Sequence, residues 1–222
     1  MTHWTDQPTE AHTKVSDALG VVDNLVSYMS DAKGKPAIRE RALFAASVVF
    51  TYGVWESFIE QLAIELVDHV SSKIEPEKVP KLVRQVIEKR SAWEINVTPG
   101  WRKIWSEHVK LKALGDEADE NNKYGMNTAR EGQVAYMLSL AGVEDPFKGF
   151  PVASIPAYLT PTKRTVKDAI NELVVLRGSI VHTGKVPSNL RKGHVRDWRK
   201  FVEDAAHAID EACRAECKAL LR

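Results

Sequence analysis

PAIRERALFAASVVFTYGVWESFIEQLAIELVDHVSSK, residues 36–73, decides the fold of this chain. After Pro36 no proline interrupts the stretch, and its apolar residues return at the spacing of a helix rather than in strand alternation. The stripe reads Ile38, Ala42, Ala45, Val49, Phe50, Gly53, Phe58, Leu62, Leu66 and Val70. This predicts one long helix, with Pro36 in the first turn, where a missing N–H is no loss.

Outward from it the same periodicity recurs. Upstream, Val15, Leu19, Val22, Leu25 and Val26 predict a helix from about Glu10 to Met29. Downstream, residues 75–160 read as short helices (EPEKVPKLVRQVIEKR, PGWRKIWSEHVKLKALG, TAREGQVAYMLSLAGV) separated by polar or proline-punctuated connectors. Trp93, Trp101 and Trp105 are expected to pack this part onto the rest. Two helices close the chain, from about Pro161 to His182 and from about His194 to Leu221, with Gly184 and Pro187 as stop signals between them. The expected architecture is all-α: two helical hairpins, residues 10–74 and 161–221, form the core of one domain, and a helical segment, 75–160, is inserted between them.

Bulk properties narrow the function. Apolar residues make 44% and charged residues 27% of 222, with a net charge of +1, so no global field draws in nucleic acid or anionic lipid. Any RNA contact has to come from a local basic surface. No apolar run reaches the roughly 18 residues of a membrane span, and MTHWTDQPTEAH lacks the basic and apolar parts of a signal peptide. Cys213 and Cys217 stand four apart in one helical stretch, where a disulfide would staple nothing; both read as reduced thiols of a cytoplasmic protein. With His207 they make too loose a set for a structural metal site, so they read as core cysteines, and neither metal nor cofactor is expected.

The chemistry concentrates in the penultimate helix. Its stripe runs Val166, Ile170, Leu173, Arg177, Ile180, so an arginine occupies a position reserved for a buried side chain. That is costly unless the charge is paired or faces a cleft or an interface. Gly178 follows, which lets a backbone or ligand approach, then Ser179, and one turn on comes His182, an imidazole suited to proton transfer near neutral pH. Residues five apart on a straight helix point roughly 140° apart. One copy therefore places the pair awkwardly, whereas two copies about a two-fold axis bring two arginines and two histidines into one cleft.

NELVVLRGSIVHTG, residues 171–184, resembles the hallmark of HEPN domains: an arginine, four to six residues, then a histidine. YGVWESFIEQLAIELV is similar to a helix of the RiboL-PSP-HEPN subgroup that carries a glutamate, here Glu56. YGMNTAREGQVAYMLSLAGVEDPF is similar to that subgroup's segment with an asparagine ahead of a short helix, here Asn127. The resemblance implies a HEPN-like bundle and metal-independent cleavage of RNA by a homodimer, with Arg177 on the phosphate and His182 moving protons. It implies further a toxin or anti-phage role, with an antitoxin or defence protein as partner. Many family members carry a polar residue directly after the arginine; this chain has Gly178.

Plainer readings stand beside these. Arg177 pairs with Glu56 or Glu172 and His182 caps a helix end; Asn127 caps the helix after it. The run Arg191–Lys200 gathers five basic residues around Trp198 and suits an RNA backbone with a stacked base, Arg191 and Lys192 foremost, or else is a solvated helix start.

Overall fold

A computed structural model describes residues 4–31, 34–90, 100–120, 122–151, 154–156 and 165–222. Among them lie seven α-helices and no strand: α1 (Glu10–Ser27), α2 (Ile38–Lys73), α3 (Lys81–Arg90), α4 (Gly100–Leu114), α5 (Glu131–Ser139), α6 (Val166–Thr183) and α7 (Lys192–Leu220). The all-α bundle expected from periodicity is the one observed. Residues 161–164 and Trp93 lie outside the described residues; Trp101 and Trp105 are buried where α4 meets α2, and the Trp105 indole donates to the Leu140 carbonyl at 2.7 Å.

The helix ends follow local chemistry. Thr9 caps α1, accepting from the His12 N–H at 3.1 Å. Carboxylates from other helices then take up the exposed amides at this end. Glu65 of α2 accepts from Glu10 and Ala11, and the fully buried Asp210 of α7 accepts from the Thr9 N–H and hydroxyl while pairing with Arg214 at 2.7 Å. Negative charge at a helix N-terminus satisfies orphan donors and the dipole together. Glu40 performs this for α2, accepting from the Ala37 and Ser30 amides. Ala37 is the cap, so Pro36 sits just before it rather than in the first turn. The motif helix begins later than its pattern suggested: Thr165 and Asp168 form a reciprocal capping box. Gly184, at φ 65°, ends it in the left-handed conformation that costs glycine least.

α2 is the hub, packing against α1, α4, α5, α6 and α7. α6 and α7 each lean on α2 more than on one another, so the two closing helices do not make the tight hairpin expected of them. Contrary to the expectation that no apolar run is long enough, α2 is by length and composition apolar enough to cross a membrane, and half of its apolar window is buried in the bundle, as for a core helix.

The face that α2 buries also differs from the sequence reading over its first half. Phe44, Val48, Tyr52 and Trp55 point into the core, while Ile38 is 90% exposed, Ala42, Phe50 and Gly53 are exposed, and Ala45 and Val49 are half-buried. From Phe58 through Leu62, Leu66 and Val70 the expected stripe is buried. From Ala42 to Val54 the helix is apolar or small on almost every side, so periodicity could not choose between faces; burial of the bulkier rings did.

Candidate active site

Arg177 leaves α6 against α2. Its guanidinium carbon lies 5.1 Å from the centroid of the Tyr52 ring, and its Nε is buried without a hydrogen-bond partner. Arg177 makes no ion pair with any described residue, so the expected bridge to Glu56 or Glu172 is replaced by a cation–π contact; Glu172 is exposed. Tyr52 is 1% exposed, and its hydroxyl donates to Glu56 Oε1 at 2.8 Å and accepts from the Ala129 N–H at 2.9 Å.

The acidic residues beside this contact stand on α2. Glu56 is half-buried, and burial raises its carboxyl above the ordinary range while the Tyr52 hydrogen bond and the Arg177 charge pull it back. Glu60, one turn further on the same face, is also half-buried. Burial, reinforced by the neighbouring Glu56, pushes it up to about 7.

The segment before α5 is tied to both helices. Tyr52 and Trp55 hold both sides of the residue-129 peptide, Tyr52 taking the N–H and the Trp55 indole donating to the carbonyl at 3.0 Å. The Glu131 N–H then reaches Asn171 Oδ1 of α6 at 3.3 Å, tying this segment to the motif helix as well. Asn127 stands exposed two residues before this clamp. It does not cap α5, whose N-cap is Arg130.

His182 lies in the last turn of α6, exposed, with its ring folded back over Gly178; a Cβ at residue 178 would sit 3.9 Å from the His182 Cδ2. Ser179 is exposed, its carbonyl accepting from Thr183. Just beyond, Gly184, Lys185 and Val186 line a cavity of about 680 Å³ with Ile38, Arg41, Ala42 and Ala45, which joins the His182 end of α6 to the exposed apolar face of α2.

Arg191 and Lys192 sit elsewhere, in a polar cavity of about 250 Å³ with Ser30, Glu40 and Arg196. Arg191 donates to the Ser188 and Leu190 carbonyls, and Lys192 binds the Met29 carbonyl and the Asp31 carboxylate at 2.9 Å. Base stacking on Trp198 is excluded, because the side chain is fully buried, edge-on against Phe201. Cys213 and Cys217 are core thiols that burial pushes upward, Cys217 to about 12.

Three contributors went unnoticed in the sequence: Tyr52, Glu60 and Asn171. Tyr52, Glu56 and Glu60 recur at four-residue intervals on one α2 face, the one signal available beforehand.

A family model described as RiboL-PSP-HEPN matches residues 21–215, from within α1 to within α7. No curated protein and no solved structure gives a significant match.

Proposed function

The chain belongs to the RiboL-PSP-HEPN family, and from that premise we propose that it is a metal-independent endoribonuclease, active as a homodimer in the cytoplasm. One observation carries the reading. The Arg177 fork has no hydrogen bond or ion pair to any described residue, yet it is held over the Tyr52 ring where α6 meets α2, with His182 on the same helix. A cation that no described residue pairs with suits an incoming anion, and a guanidinium fork meets two phosphate oxygens at once.

The proposed reaction uses the substrate's own nucleophile. A ribose 2′-OH gives its proton to an imidazole and attacks the adjacent phosphorus; the bond to the 5′-oxygen breaks, and that oxygen takes up a proton. The products carry a 2′,3′-cyclic phosphate and a 5′-hydroxyl. Arg177 binds the phosphate and offsets the charge growing on its oxygens. His182 moves the protons, and in a two-fold cleft one copy's imidazole acts as base while the other acts as acid. Glu56, Asn127, Gly178 and Ser179 border this cleft, and Arg191 and Lys192 offer a second point for the RNA backbone. Incubation of wild type and His182→Ala with total RNA in EDTA tests the reading; cleavage by the wild type alone is the expected result.

Such an activity fits a toxin or anti-phage effector, restrained by an antitoxin or another defence protein. A second reading, a binding HEPN without catalysis, is favoured by Gly178, which puts no polar side chain beside Arg177. RNA binding without cleavage would select it.

A further inference from the structure

We infer that Tyr52 is a positioning residue for Arg177: its ring holds the guanidinium by the face, and its doubly anchored hydroxyl fixes the ring, so the fork meets an oxyanion with none of its N–H donors taken by a described residue. The inference rests on the phosphate-binding role given to Arg177 above.

A carboxylate would hold an arginine by consuming two of its five donors. An aromatic face holds it through the ring quadrupole and consumes none. Here the guanidinium carbon stands 5.1 Å from the Tyr52 centroid, and no described residue accepts a hydrogen bond from Arg177. Among the described residues the ring is therefore the contact that fixes where the cation sits.

A ring is a useful platform only if it does not move, and Tyr52 is restrained at both ends. Its Cβ belongs to the middle of the 36-residue α2, and its side chain is almost fully buried. Its hydroxyl donates to Glu56 at 2.8 Å and accepts from the Ala129 amide at 2.9 Å, so both halves of the phenol's hydrogen-bonding capacity are occupied. The Ala129 carbonyl is held in turn by Trp55, and the Glu131 amide by Asn171 of α6. The placement of Arg177 thereby depends on the inserted segment as well as on α2. Glu56 falls into place in the same arrangement: its carboxylate orients the phenol and takes no hydrogen bond from the arginine.

The test uses the full chain with ¹⁵N-labelled arginine, as wild type, Tyr52→Phe and Tyr52→Leu, with Arg177→Lys to assign the Arg177 Nε–H signal. In the wild type that signal is displaced by the ring current. Tyr52→Leu is expected to abolish the displacement and to lower kcat/KM for single-stranded RNA about tenfold. Affinity for uncleavable 2′-O-methyl RNA should fall by a similar factor. Tyr52→Phe keeps the face but frees the ring, and is expected to reduce the displacement partially and kcat/KM about threefold. A folded Tyr52→Leu protein with an unmoved Arg177 signal overturns the inference. Should Tyr52→Leu not fold, Tyr52→Phe decides, and a signal and RNA affinity identical to wild type overturn it. A wild type that neither binds nor cleaves RNA overturns the nuclease reading instead, and the ring-current displacement still reports whether Tyr52 holds Arg177.

Discussion

The Arg177 guanidinium rests over the Tyr52 ring at 5.1 Å and makes no ion pair with any described residue. This relationship separates stability from activity at the motif. Had Arg177 neutralised Glu56, its removal would strand a half-buried carboxylate; instead Glu56 already accepts from Tyr52. Arg177→Ala is therefore expected to cost about 1 kcal/mol, the worth of a cation–π contact, and not the several expected of a broken buried ion pair. Arg177→Lys is expected to fold as wild type yet to be inactive, since an ammonium lacks the two-pronged geometry. Thermal melts and RNA assays on the same preparations check both.

His182 is exposed at the end of α6 and makes no hydrogen bond to a described residue, so it has little to contribute to the fold. His182→Ala is expected to melt within about 0.5 kcal/mol of wild type while cleavage falls by about a hundredfold or more. An early-melting mutant, or one that cleaves normally, would leave His182 a helix-end residue.

The motif helix and the long helix were legible because both carry a stripe that only α-periodicity explains, and Arg177 interrupts its stripe. The surroundings of Arg177 were less legible. Tyr52 sits in an apolar run and reads as core; what gives it a second role is the Ala129 amide, 77 residues away, and a guanidinium from α6. Such pairings are set by tertiary packing, which a one-dimensional pattern does not encode. The exposed half of α2 was misread for a related reason: small residues on several faces leave the buried side to be chosen by neighbours.

Two groups give the stability a pH profile of opposite slopes. Glu60 is raised from 4.5 to about 7, so its contribution is complete below pH 4.5 and is lost as pH rises through about 7. His12 is lowered from 6.5, by burial first and with His207 and Arg214 adding to it against Asp210 and Glu211. Its contribution is present above pH 6.5 and is lost as pH falls below that. Glu60→Gln is expected to remove the loss on the alkaline side, and His12→Gln the loss on the acid side. Urea midpoints measured from pH 5 to 8 show both slopes; a profile unchanged by either substitution would refute the assignment.

The dimer is tested where the fold leaves an apolar surface beside the motif. Ile38 is 90% exposed, and with Ala42 and Ala45 it lines the cavity that runs to Gly184 and Val186, just past His182. A second copy laid on this face about a two-fold axis would bring its own α6 end toward the first, which is how one arginine and one histidine per chain become two of each. The wild type is expected to sediment at twice the chain mass at micromolar concentration. Ile38→Glu places a charge where an isologous interface would set it near its own symmetry mate, while in the monomer the side chain already faces water. It is therefore expected to leave the melting of the monomer nearly unchanged, to sediment at the mass of one chain, and to lose RNA cleavage with Arg177 and His182 intact. An Ile38→Glu protein that stays dimeric moves the interface to another face, and one that is monomeric yet fully active removes the need for a composite site.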